Sequence, residues 1–152
     1  MSVADILKHK GNAVATVSAS APLSDAIALL ARENFGALVV LGNDGAVVGI
    51  LSERDVVAGL ARSGGEILAE PVSALMTGDP LTCTRNGRVV DLIQLMMGWN
   101  IRHLPVVENR TLLGLVSMGD LVKATTDRGL LTTLIPGRLP VIDEDLPDET
   151  PN

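Results

Sequence analysis

Two serine–aspartate pairs are the residues in this 152-residue chain whose types and spacing could do chemistry. Ser52 and Asp55 lie in Gly49-Ile50-Leu51-Ser52-Glu53-Arg54-Asp55, and Ser117 and Asp120 lie in Gly114-Leu115-Val116-Ser117-Met118-Gly119-Asp120. Each pair follows a short apolar run and precedes an amphipathic one. That pattern predicts a buried strand turning into a helix, with the serine at the corner. A hydroxyl and a carboxylate so placed can brace the helix start as a capping box. They can also face outward, the acid accepting from vicinal ribose hydroxyls while the serine and nearby amides meet a phosphate. Glycine ahead of the corner lets a ligand approach the backbone. Spacing alone leaves both readings open.

The two phrases are 65 positions apart, and the elements that must position them recur as well. Leu81-Thr82-Cys83-Thr84 echoes Ala15-Thr16-Val17-Ser18, and Val90 to Met96 echoes the helix from Ser24 to Leu30. Leu104-Pro105-Val106-Val107 echoes Leu38-Val39-Val40-Leu41 at a spacing of 66. Gly42-Asn43-Asp44-Gly45 is a hairpin turn, and Glu108-Asn109-Arg110-Thr111 is its counterpart shortened by one residue, which converts 66 into 65. Val3-Ala4-Asp5-Ile6-Leu7 is echoed by Val72-Ser73-Ala74-Leu75-Met76. Each half therefore predicts a β-α-β-β-α unit in an α/β fold. The first unit spans 1–65 with an N-terminal helix, 66–71 form a linker, and the second unit spans 72–135. Residues 136–152, rich in proline and acid, are expected to be a flexible acidic tail. Units of about sixty residues are small for independent stability, so paired packing about a pseudo-twofold axis is expected.

Composition removes several function classes. A formal net charge of −6 disfavours broad binding to nucleic acid or anionic lipid. Phe35 and Trp99 are the only aromatic residues, too few for a single-strand stacking platform. No apolar run approaches the roughly 20 residues of a membrane-spanning helix. Met1 to Gly11 lacks a signal-peptide pattern, and Cys83 is the only cysteine, so a cytoplasmic address is expected. No Walker loop, dinucleotide fingerprint or Cys/His cluster occurs. A Cys83–His103 nucleophile pair is conceivable, but nothing supplies an orienting third residue or an oxyanion hole.

The duplicated unit, with Leu104-Pro105-Val106-Val107, the hairpin and Gly114 to Asp120, resembles a cystathionine-β-synthase-type (CBS) domain. Two in tandem resemble the CBS pair, or Bateman module, of small stand-alone bacterial proteins. The resemblance covers about Val3 to Thr125. It implies a non-catalytic regulatory module, with no required cofactor, that binds an adenosyl ligand (AMP, ADP, ATP, NAD(H) or S-adenosylmethionine) between the units. It implies ribose binding by Ser52 and Asp55 in one half, and by Ser117 and Asp120 in the other. A basic pair before the Leu-Pro-Val strand, here Arg102 and His103, would meet phosphate. The first half has Gly36-Ala37 there, which leaves Arg54 as its basic candidate. Adenine contacts would come from Thr16 and Val17, and from Thr82 and Cys83. The favoured grouping on these grounds is Arg102, His103, Ser117 and Asp120.

The resemblance also implies a homodimer, a disc of four units, with helical faces bearing Val56, Leu60, Leu121 and Val122 as contact candidates, and a protein partner that reads the ligand state. Two alternatives remain: an interaction scaffold with vestigial clefts, and an enzyme using Cys83 and His103.

Overall fold

The computed structural model describes residues 1–127. The end of the second unit at 135, the tail over 136–152 and any extension of the last helix toward Leu134 lie outside the described residues. The elements run α1 (Val3–Lys10), β1 (Thr16–Ser18), α2 (Leu23–Glu33), β2 (Ala37–Leu41), β3 (Val47–Ser52) and α3 (Glu53–Ser63). Two 3-10 turns follow, Gly64–Ala69 and Val72–Ala74, then β4 (Thr77–Gly78), α4 (Val89–Trp99), β5 (His103–Glu108), β6 (Thr111–Ser117) and α5 (Met118–Asp127).

The repeat seen in the sequence is a repeat of local physics. Helix α2 buries Leu23, Ala26 and Leu30, one stripe at helical spacing, and stops at Asn34 in the left-handed conformation. Helix α4 buries Val89, Leu92, Ile93 and Met96 and stops the same way at Asn100. Strands β2 and β3 form an antiparallel hairpin, as do β5 and β6. The first hairpin turns through Gly42 to Ala46, whereas the second uses only Asn109 and Arg110, both at positive φ. That is the backbone of a two-residue type I′ turn.

The first sheet has the order β1-β2-β3-β4, with β1 parallel to β2. The second contains β5 and β6 alone. The strand expected over Leu81 to Thr84 shrinks to one parallel bridge, Cys83 to Val106. Pro80 precedes it and Thr84 accepts from the Gly87 amide in a turn, so pairing stops on either side.

Packing crosses the division read from the sequence. Helix α1 belongs to the first unit by sequence order, yet Val3, Ile6 and Leu7 are buried with Cys83, Leu92, Met96, Leu104 and Val116 in the second core. Val72 and Ile67 are buried in the first core with Leu23, Leu38 and Leu51. Main-chain bonds fix this exchange: Val3 N donates to Gly87 O at 2.9 Å, and Leu23 N donates to Glu70 O at 2.8 Å. An eight-residue helix is marginal in water. Burying three such side chains contributes roughly 5 kcal/mol or more, which decides where α1 docks. The expected linker is structured for the same reason, since Ile67 anchors it. Ala37, Val39 and Leu115 form a third cluster, through which the two sheets pack.

The contact faces expected on α3 and α5 need correction. Val56 is 8% exposed and Leu121 is fully buried, because each helix turns one stripe to its own core. Val57 and Leu60 on α3, and Val122 on α5, are the exposed apolar residues there. No helix among the described residues is long and apolar enough to cross a membrane.

Candidate functional site

At the first corner, strand β3 ends in Ser52, whose extended backbone (φ −105°) makes it the N-cap of α3. The Asp55 amide donates to Ser52 Oγ at 3.2 Å. In return the Ser52 amide and hydroxyl both donate to Asp55 Oδ2, at 2.9 and 3.0 Å. This is a full capping box. Ser2 and Asp5 form a third one at the start of α1, so the box is first a helix brace. Unlike a pure brace, Asp55 stands beside an opening. Its Oδ1 carries no hydrogen bond among the described residues.

That opening is a cavity of about 540 Å³ between the halves, within the range for small-molecule sites. The first half supplies Gly36, Ser52, Glu53, Arg54 and Asp55 to its wall. Thr77, Asp79, Pro80 and Leu81 come from β4 and the segment after it, and Trp99, Arg102 and His103 from the end of α4 and the start of β5. Arg54 reaches across, its Nη1 a long 3.5 Å from the Asn100 carbonyl. Burial holds the His103 imidazole below its ordinary value, partly offset by the Asp120 and Glu53 carboxylates. It is therefore a neutral donor–acceptor at pH 7 rather than a cation. The fixed positive charge facing the cavity comes from Arg54 and Arg102.

The grouping expected from the sequence is thus re-paired. Arg102 and His103 line the cavity with Ser52 and Asp55, and Ser117 and Asp120 do not line it, although His103 lies opposite Ser117 in the β5–β6 ladder. At the second corner the box repeats, with the Ser117 amide donating to Asp120 Oδ2 at 2.8 Å and the Asp120 amide to Ser117 Oγ at 3.1 Å. Here, however, Lys10 Nζ lies 2.7 Å from the same Oδ2 and donates to the Leu115 carbonyl at 2.8 Å. Burial pushes the Asp120 carboxyl up, but Lys10 and the Ser117 donors outweigh it and hold the group below its ordinary value. Asp120 instead lines a separate space of about 370 Å³ between α1 and α5, with Lys10, Lys123 and His9.

The expected adenine contacts divide similarly. Thr16 and Val17 lie in β1, with Val17 packed on the first core. Cys83 is 7% exposed within the second core, and its backbone is spent on β5: its amide donates to Pro105 O and its carbonyl accepts from Val107 N. Burial pushes its thiol up to about 11, so it stays protonated and is unsuited to act as the nucleophile of the Cys83–His103 alternative. Thr82, beside the lining residue Leu81, is the exposed member of that pair. Sequence reasoning missed Glu53, Asp79, Leu81 and Trp99 as wall residues, and missed Lys10. The closeness of Glu53 to Ser52 and Arg54, of Leu81 to Thr82 and of Trp99 to Arg102 was the signal for those three, and Asp79 and Lys10 had none.

Comparison with known proteins fits this architecture. The family model described as CBS domain matches twice, over residues 3–62 and 72–127. A crystal structure of a CBS-domain-containing protein from Agrobacterium tumefaciens is 40% identical, with a TM-score of 0.78 over 81% of this chain and 92% of that one. A CBS domain protein from Pyrobaculum aerophilum, solved in complex with AMP, is 25% identical with a TM-score of 0.75, covering 88% and 98% of the two chains. A mitochondrial CBS domain-containing protein of Arabidopsis thaliana is 32% identical over 130 residues; the match takes in 80% of this chain but 63% of that protein's length. With one family match on each half of the repeat, the chain belongs to the CBS domain family, as two units in tandem.

Proposed function

We propose that this chain is a non-catalytic regulatory module that binds an adenosyl ligand of the AMP, ATP or NAD(H) class in the cavity beside Asp55, and that a protein partner reads the bound state. One observation carries the reading: an acid braced by Ser52 presents its free oxygen to a cavity whose far wall, from the other half, holds Arg102. The ribose diol is assigned to Asp55 and Ser52, the phosphate to Arg102 and Arg54 with His103 as a neutral partner, and the adenine edge to the segment around Thr82. The AMP complex of the Pyrobaculum relative supports the ligand class. We assign Ser117, Asp120, Thr16 and Val17 to the second cleft. Because ligand contacts come from both halves, binding favours one relative arrangement of them, and that difference is what a partner senses. We place the module in the cytoplasm as a homodimer, joined through the faces bearing Val57, Leu60 and Val122. Light scattering across a dilution series reads the dimer directly.

The test of the ligand site is thermal. AMP at one hundred times its Kd stabilises a one-site protein by about 2.7 kcal/mol. The shift in Tm is expected in the wild type, to be lost in Asp55→Asn, and to persist in Asp120→Asn. Unchanged melting with AMP, ATP, NADH and adenosine alike would overturn the ligand-binding reading.

A further inference from the structure

Resting on that reading of the Asp55 cavity, we infer that Lys10 is a built-in occupant of the second cleft, so that each chain holds one adenosyl ligand and not two. The two corners share the same pair of main-chain hydrogen bonds, with the Ser52 hydroxyl adding a third in the first. Serine amide to aspartate oxygen is 2.9 Å in the first and 2.8 Å in the second, and the return bond is 3.2 and 3.1 Å. What differs is the company each acid keeps. Asp55 has no ion pair among the described residues, whereas the Lys10 ammonium stands 2.7 Å from Asp120.

The ammonium also donates to the carbonyl of Leu115, the residue that corresponds, 65 positions on, to the cavity-lining Ile50. It therefore fills the place beside strand and acid where a sugar would have to lie. Two of its three hydrogens are committed there, and a diol would have to break a charge-assisted bond to enter. Delivery is rigid, because Lys10 is the last residue of α1, whose Val3, Ile6 and Leu7 are locked in the second core.

The first half carries the opposite charge at the equivalent place. Leu7 packs on Gly114 as Met76 packs on Gly49, an offset of 69 positions for the segments that cross between halves. By that offset the counterpart of Lys10 is Asp79, an acid on the wall of the open cavity, which cannot form an ion pair with Asp55.

Stoichiometry tests this. The full chain is titrated with AMP by calorimetry and native mass spectrometry, beside Lys10→Met, which keeps the length of the side chain, and Lys10→Arg, which keeps the charge. Circular dichroism confirms that each variant is folded. One AMP per chain is expected for the wild type and Lys10→Arg, and two for Lys10→Met. Two per wild-type chain, or one per chain in both the wild type and Lys10→Met, overturns the role of Lys10 while leaving the Asp55 site standing. None in the wild type but one in Lys10→Met supports Lys10 as occupant and sinks the Asp55 site. None in either overturns both.

Discussion

A Cβ on Gly36 would lie 3.6 Å from Nε2 of His103, so the imidazole rests against the one residue before β2 that has no side chain. Gly36 sits at φ +74°, and its carbonyl accepts the first amide of α3, from Glu53. The repeat places Arg102 at the position of Gly36, and the Arg102 carbonyl accepts the first amide of α5. The departure in the first half is therefore steric, since a bare backbone there makes room for the ring from the second. Gly36→Ala has ordinary space but the wrong backbone, so a loss of about 1–2 kcal/mol is expected in urea unfolding. Gly36→Arg, which restores the repeat, should displace His103 and weaken AMP binding.

Acid should weaken the fold in two windows. His103 titrates lower in the folded chain than its ordinary 6.5, so between those values the unfolded chain binds more protons and stability falls as pH drops below about 6.5. Asp120 is held below its ordinary 3.8, so its contribution is complete above that value and disappears as pH falls through the folded value. Melting curves from pH 7.5 to 3 should show both. His103→Gln should flatten the upper window alone, and Lys10→Met should diminish the lower one.

Cys83 should be silent toward thiol reagents in the native state. Its labelling rate with a maleimide should track unfolding rather than pH between 7 and 9, because the thiol is buried and titrates at about 11. Cys83→Ser puts a hydroxyl in the second core and is expected to destabilise by about 1–3 kcal/mol. Rapid labelling under native conditions would contradict this packing.

The second hairpin carries relievable strain. Arg110 has φ +65° in a two-residue turn whose second position favours glycine. Arg110→Gly should raise stability by about 0.5–1 kcal/mol in urea unfolding, since the left-handed conformation penalises a residue with a Cβ.

Much of the fold was legible because it is written twice. The stripes of α2 and α4, the two hairpins and the serine corners all depend on neighbours within a dozen residues, and the one-residue deletion lies in a turn. What could not be read depends on which half packs where. Val3, Ile6 and Leu7 announce an apolar face, but nothing in their spacing says which core takes it. Lys10 reads as an ordinary cation at a helix C-terminus until packing sets it beside Asp120. Arg102 and His103 are recognisable as a ligand-facing pair, yet their corner is chosen by the sheet contact at Val39 and Leu115. The expectation for Val56 and Leu121 failed for a local reason, since an exposed stripe was placed on the stripe that each helix needs for its own core.

The crossing of α1 and Val72 between the cores bears on how such a chain can be divided. A cut between residues 65 and 72 yields two pieces, each missing apolar side chains that its own hollow requires, and neither should be recoverable as a monodisperse fragment. The residues that build the first core run from Ala15 to Met76, out of step with the sequence repeat. Each half of the repeat thus lends the other a segment that completes its interior.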